Sequence, residues 1–134
     1  MSEHIVVNPS EWAQPKGYSN GIMATGRTLH IGGQIGWNQS QEFESADFVD
    51  QFEQTLLNTL AVLTEAGGEP SDIVRMTIFV TDMDAYRSNL RALGGVWKRL
   101  MGRWYPAMAL VGVTALVEKD ALIEIETTAV LGEE

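Results

Sequence analysis

The chain reads as an α+β fold, a two-layer sandwich in which a mixed sheet carries two helices on one face. Three observations predict it. Two stretches repeat apolar residues at three- and four-residue steps, the mark of a helix with one buried stripe. Five shorter stretches alternate residues with the two-residue period of a strand. The segments follow one another as strand, strand, helix, strand, helix, strand, strand, and crossovers of this kind place both helices on one side of the sheet.

The elements follow in order. "SNGIMATGRTLHIGGQIGW" (19–37) is expected to form two short strands joined at Gly26. In the second, Leu29, Ile31 and Ile35 share one face, and His30, Gly32 and Gln34 the other. "NQSQEFESAD" (38–47) is a polar loop. "DFVDQFEQTLLNTLAVLTEAGGEP" (47–70) is the clearest helix, with Val49, Phe52, Leu56, Leu60 and Leu63 in its stripe. Asp47 is its N-cap, Gly67 or Gly68 its left-handed stop, and Pro70 follows. "DIVRMTIFVTD" (72–82) is a strand with Val74, Met76, Ile78 and Val80 on one side, and Ile73, Arg75, Thr77 and Phe79 on the other. Asp82 caps a second helix over 83–101, with Met83, Tyr86, Leu90, Leu93, Trp97 and Leu100 in its stripe. Gly94 and Gly95 interrupt it at about 1 kcal/mol each relative to alanine. Close packing against the sheet or the first helix is the expected reason. "YPAMALVGVTAL" (105–116) and "ALIEIETTAVL" (121–131) are the last two strands.

Composition narrows the function. The 134 residues, 45% hydrophobic and 20% charged, suit one domain over 1–134. There is no cysteine, which removes disulfides, thiol nucleophiles and thiolate metal sites. No basic leader precedes a long apolar run at the start, and no run reaches membrane-spanning length. A soluble, cytoplasmic protein with no membrane partner is expected. The net charge of −9 repels phosphate backbones and counts against a nucleic-acid partner.

Helices on one face leave the other face of the sheet uncovered. The alternation assigns Gly32, Gln34, Met108, Leu110, Leu116, Leu122, Glu124 and Glu126 to it. Such a face is too apolar for water, so copies of the chain are expected to cover it by closed symmetry. Carboxylates there would lie at or near subunit interfaces. The bland reading of the pair is an ion pair with a neighbour or simple solvation; the sharp one is proton transfer in a cleft. Other chemistry is thin. His30 has no partner at metal-ligand spacing, His4 is expected to be solvated, and the glycines of 26–36 lack the context of a dinucleotide site. Trp37, Trp97 and Trp104 are expected in the core or an interface.

"GYSNG" (17–21), "IGGQIGWN" (31–38), "QTLLNTLAVLTEAGG" (54–68), "DIVRMTIFVTDM" (72–83), "YPAM" (105–108) and "IEIETTAV" (123–130) together resemble the Rid (YjgF-type, RidA-like) family, over essentially the whole chain and in the family's order. The resemblance implies a chorismate-mutase-like fold and a homotrimer. Its three sheets would face inward as a barrel, with helices outside and a small-molecule pocket at each subunit interface. It implies hydrolysis of reactive enamines and imines to a 2-oxo acid and ammonia, with no cofactor and no metal. Carried over residue by residue, Tyr18 matches the family's pocket tyrosine. Gly33, Gln34, Ile35 and Gly36 match one pocket wall, and Glu124 matches the glutamate that holds or activates water. Glu126 matches a second acidic position with no chemistry assigned.

The chain departs from that pattern. The residue after Pro-Ala is an arginine in deaminating members and grips the substrate carboxylate; here it is Met108. A common cysteine two residues on is Leu110, a serine before "GQI" is Gly32, and a helix asparagine falls one position from Asn89. Losing a bidentate contact costs about 10²-fold in affinity or more. Two function classes therefore stay open. One is a cofactor-independent hydrolytic deaminase of an enamine or imine, with Glu124 positioning water, Tyr18 orienting the ligand, and Met108 and Leu110 as an apolar wall. The other is a non-catalytic, small-molecule-binding or regulatory trimer. Ribonuclease activity is a third reading, opposed by the charge.

Overall fold

The computed structural model describes residues 3–132. Six strands and three α-helices run in the order β1 (Ile5–Val7), β2 (Gly21–Met23), β3 (Arg27–Ile35), α1 (Phe48–Glu65), β4 (Ile73–Val80), α2 (Met83–Arg87), α3 (Leu90–Met101), β5 (Ala107–Gly112) and β6 (Ile123–Leu131). A single 3₁₀ turn at Pro70–Asp72 leads into β4. The main sheet has the order β3-β6-β4-β5. β6 is antiparallel to both of its neighbours, and β4 is parallel to β5. This is the mixed sheet that the alternating pattern predicts. Its two edges are β3 and β5.

α1 forms where its sequence provides both ends. Asp47 accepts a hydrogen bond from the Asp50 N–H at 3.0 Å, and Asp50 adds an acid in the first turn. At the other end Gly67 takes φ +86. The Gly67 and Gly68 N–H groups then reach the Thr64 and Leu63 carbonyls, the Schellman arrangement. Phe48, Phe52, Leu56 and Leu63 are buried under it, with Leu60 and Val49 packed at the margin.

The second helix departs from expectation. It breaks at Ser88–Asn89 into α2 and α3, because these side chains take carbonyls one turn back. Ser88 Oγ donates to the Asp84 carbonyl at 2.8 Å and Asn89 Nδ2 to the Ala85 carbonyl at 2.7 Å. Gly94 and Gly95 are exposed, and a Cβ built on either meets nothing within 4 Å. Close packing within the chain is therefore not their reason.

The N-terminal region also differs. β2 pairs with β1, as Ile5 to Met23 and Val7 to Gly21, and not with β3. His4 is not simply solvated; its Nε2 lies 2.8 Å from the Val130 carbonyl.

Registers decide the faces, since directly opposed residues share one. Ile123, Ile125, Thr127 and Ala129 of β6 lie beneath the helices, opposite Val80, Ile78, Met76 and Ile73 of β4. Ile73 joins this row, contrary to simple alternation, because the register slips between Ile73 and Arg75. The parallel pairing sets Met108 beside Met76 and Leu110 beside Ile78, so both belong to the helix side. Alternation alone assigns them to the open face beside the glutamates, and the pairing corrects that assignment. On β3, two residues between Ile31 and Gln34, Gly32 and Gly33, oppose the single Glu126 between Thr127 and Ile125, a bulge. Beyond it Gln34 stands opposite Ile125 and Ile35 opposite Glu124. The bulge thus exchanges the faces that alternation assigns to these two residues. The open face consists of Ile35, Glu124, Phe79 and Val111 in one row, with Glu126, Thr77 and Ala109 in the next.

A buried amide joins the helical layer to the loops. Gln51 is 1% exposed. Its Nε2 donates to the Ser45 and Asp120 carbonyls, each at 3.0 Å, and its Oε1 accepts from the Leu122 N–H at 2.8 Å. Gly36 lies against the same side chain, where an added Cβ would come within 2.7 Å of the Gln51 Cβ. Gly36→Ala should therefore destabilise the protein by about 1–3 kcal/mol and lower Tm by several degrees. Thermal unfolding followed by circular dichroism checks this; an unchanged Tm would show that Gln51 yields without cost.

Candidate functional site

The sheet separates two candidate half-sites, one on each face. The first is a cleft beside the edge strand β5. It exists because the segment before β2 is tied to β5. The Ser19 N–H donates to the Pro106 carbonyl at 3.0 Å, and the Ser19 hydroxyl donates to the Tyr105 carbonyl. This places the preceding Tyr18, 43% exposed, over the gap between β5 and α3. The far wall is aromatic. Trp97 stacks on Tyr105 with centroids 6.0 Å apart and planes 7° apart. Its Nε1 donates to the Trp104 carbonyl at 3.1 Å, which satisfies the indole while its ring stays against the cleft. Met108 and Leu110 form the floor beside Ile78, and Tyr86, Leu90 and Gly94 border the helical side. The cleft holds ≈390 Å³ and is mostly apolar, the size and character of a small-molecule site.

The second half-site is on the open face. Glu124 is half-buried between Ile35 on β3 and Phe79 on β4. Its carboxylate lies over Gly33, so closely that a Cβ on Gly33 would overlap Oε2. No hydrogen bond or ion pair joins Glu124 to another described residue. Gln34 Nε2 turns back to the Gly32 carbonyl at 3.2 Å. Glu126 is exposed and borders a shallow polar cavity with His30, Arg75 and Thr128.

Of the residues singled out in the sequence, Tyr18, Met108 and Leu110 come together in the cleft. Gly33, Ile35 and Glu124 come together on the other face. Gly36 belongs to neither; it packs on Gln51. Gln34 flanks the bulge. Sequence reasoning missed Tyr86, Leu90 and Trp97 as cleft residues because they read as the core stripe of a helix. The sequence carries no signal that separates them from core residues; only the structure does, with Leu90 55% exposed although it lies in the apolar stripe. Among the described residues, no cluster of three or more His, Asp or Glu is placed to hold a metal ion. No described helix is long and apolar enough to cross a membrane.

Two helical segments on one face of a mixed sheet, with an apolar cleft beside its edge strand, define a class of small α+β proteins with a ligand-sized pocket. Within that class the family model described as Endoribonuclease L-PSP matches residues 10–131. The chain belongs to this family, the Rid or YjgF family, as its sequence resemblance implies. It is 30% identical to a 2-iminobutanoate/2-iminopropanoate deaminase of Dermatophagoides farinae, over 98% of this chain and 99% of that one. A Rid-family protein of unknown function from Yersinia pestis has a solved structure with TM-score 0.86 and 36% identity, covering 96% of this chain and 98% of that chain. RidA from an Antarctic Psychrobacter superposes with TM-score 0.67 at 31% identity, over 89% of this chain and 92% of that chain.

The Glu124–Gly33 contact makes a direct prediction. A carboxylate at the end of a flexible side chain can swing aside, so Gly33→Ala should move Glu124 with little loss of stability. A crystal structure of the variant should show the side chain in another rotamer, with Tm within a few degrees of the parent. A large fall in Tm would mean that the backbone, not the carboxylate, had to yield.

Proposed function

We propose that this chain is a cofactor-independent hydrolytic deaminase of a reactive enamine or imine, with an active site completed between copies in a homotrimer. The observation that carries the proposal is the unpartnered Glu124 carboxylate over Gly33, near the β3 edge of the sheet. The apolar cleft opens at the opposite edge, β5. Closing three copies into a ring sets each β5 edge toward the next copy's β3 edge, because heterologous contacts close only when unlike edges meet. Glu124 of one copy then faces the cleft of the next. The same closure covers Val111 and the half-buried Phe79, which otherwise face water.

The chemistry follows from that meeting. Water held by Glu124 adds its oxygen to the imine carbon while the carboxylate takes its proton. The C=N π electrons move to nitrogen, which is protonated to an amine. The resulting carbinolamine expels ammonia as its C–OH becomes C=O, leaving the oxo compound. One water is consumed and one ammonia released, so the reaction is redox-neutral and needs no redox partner. Tyr18 orients the ligand from the cleft side, and Met108 and Leu110 support its apolar part. The name of the mite relative supports the reaction class. Met108 supports a substrate other than the short 2-imino acids, because a thioether offers a carboxylate no donor. The family model's description names an endoribonuclease, but a net charge of −9 opposes an RNA substrate.

A second reading has its own observation. Within one chain Glu124 and the cleft lie on opposite faces of the sheet. If the copies do not join them, the cleft is a binding site without a water-activating group, and the protein is a small-molecule-binding or regulatory trimer.

Sedimentation equilibrium at micromolar concentration should give three times 14.8 kDa; a stable monomer would remove the composite site altogether. Glu124→Gln should keep that mass and lower hydrolysis by about 10²–10⁴-fold, because the amide preserves shape but takes no proton. Imines generated in situ from phenylalanine or leucine by an amino-acid oxidase provide the assay, read as the rate of 2-oxo acid release. Glu126→Gln should change stability or assembly more than rate. Full activity in Glu124→Gln would end the water-activation role, and a dissociated Glu124→Gln would make the glutamate a subunit contact.

A further inference from the structure

The cleft has one feature that neither the family pattern nor the apolar wall explains. Lys16 borders it together with Gly17 and Tyr18. Gly17 takes φ +78, in the left-handed region, and this turn lets residues on both sides of it border the same space. Lys16 is exposed and has no ion-pair partner among the described residues. No aspartate or glutamate lines the cleft, although the chain carries 18 of them. An anion repelled by most of this acidic surface therefore meets one cation and no acid among the residues that line the cleft.

The rest of the lining is shaped for bulk. Tyr18, Tyr86, Trp97 and Tyr105 present aromatic rings, and Leu90, Leu93 and Met108 fill between them. On the helical side the wall is Gly94, where a Cβ would meet nothing within 4 Å. Two exposed glycines in succession weaken α3 relative to alanine. Gly95 is just as open but does not border the cleft. The space at Gly94 is thus continuous with the cleft, and a ligand can occupy it.

We propose that the cleft binds an amphipathic carboxylate with a large aromatic side chain, Lys16 holding the carboxylate and the gap at Gly94 admitting the ring. Resting on the composite-site reading, this names the substrate as an aromatic 2-imino acid. Lys16 is the anion anchor, in place of the arginine that Met108 replaces, and Gly94 is the residue that sets side-chain size. The two ends agree with the chemistry. The reacting carbon of a 2-imino acid adjoins its carboxylate, so an anchor on the exposed Lys16 keeps that carbon near the solvent side, where a neighbouring copy's Glu124 arrives. An ammonium on a flexible stem holds a carboxylate less firmly than a guanidinium fork does, so affinity must come mainly from the ring.

Calorimetry with unreactive probes tests this apart from any turnover. 3-Phenylpropanoate should bind at least about thirtyfold more tightly than propanoate, from burial of the ring. Lys16→Met should weaken 3-phenylpropanoate by about 1.5- to 5-fold, the range for an exposed charge pair. It should leave the uncharged 3-phenylpropanamide unchanged. Gly94→Leu should abolish binding of the aromatic probe, while Gly95→Leu, an equal gain in helix propensity outside the cleft, should retain it. Circular dichroism and Tm at or above the parent's confirm that both leucine variants fold. The proposal is overturned if 3-phenylpropanoate binds no better than propanoate, if Lys16→Met weakens acid and amide alike, or if the two leucine variants behave identically. A protein that binds the aromatic acid as described yet hydrolyses nothing would refute the deaminase reading and leave this ligand class standing.

Discussion

A four-stranded sheet that receives all its helices on one face must commit every strand residue to one of two environments, and the central strand β6 makes that commitment most sharply. Ile123, Ile125, Thr127, Ala129 and Leu131 are buried, the first four beneath the helices. At roughly 25 cal/mol per Å² of apolar surface removed from water, such a row is a dominant stabilising element in a chain of this size. Because side chains alternate, the same commitment forces Glu124 and Glu126 onto the opposite face. The glutamates are held there by the isoleucines between and beside them. A one-residue slip would bring the carboxylates into the core, so the register is strongly specified.

Polar groups then adjust how the layers meet. Gln51 is buried in α1, yet its amide reaches both the loop before the helix and the loop before β6. A buried amide without those partners would cost a few kcal/mol, so its satisfaction rigidly couples the three segments. The strand carrying Glu124 begins directly after the residue that Gln51 holds, Leu122. The bulge at Gly32–Gly33 acts on the other side of the same carboxylate. It opens a place for Glu124 to lie over β3, and it turns Ile35 to face it. Core packing and the candidate site are in this way one construction: the elements that order the core also position the acid.

The cleft arises from a different balance. Leu90, Leu93 and Trp97 of α3 face a space beside Met108 and Leu110 of β5, which the Lys16–Tyr18 segment borders. That segment is held to the edge strand by Ser19, through its backbone and its hydroxyl. The result is an apolar space with one open side, next to an edge strand that still has hydrogen-bonding capacity. Such edges attract a further chain unless they are covered.

Much of the fold was legible in the sequence, because periodicity reports which residues want burial. The stripe of Phe52, Leu56 and Leu63, the Asp47 cap, the Gly67 stop and the row of Met76, Ile78 and Val80 were all local signals, and the structure follows them. The pairing of Glu124 and Glu126 on one face was equally local. What periodicity could not report was which face of one strand joins which face of another. Met108 and Leu110 alternate correctly, but only their parallel pairing with Met76 and Ile78 places them under the helices. Gln34 and Ile35 change sides because of one extra residue, a count that needs the partner strand. The break at Ser88–Asn89 turns on side chains choosing carbonyls over water. The sequence by itself determined the elements, the buried rows and the acid pair, since these depend on neighbours within a few residues. The tertiary structure alone decided that Tyr18 and Met108 share a cleft while Glu124 stands across the sheet from them, because strand register and a bulge, both long-range hydrogen-bonding choices, set which distant residues face the same space.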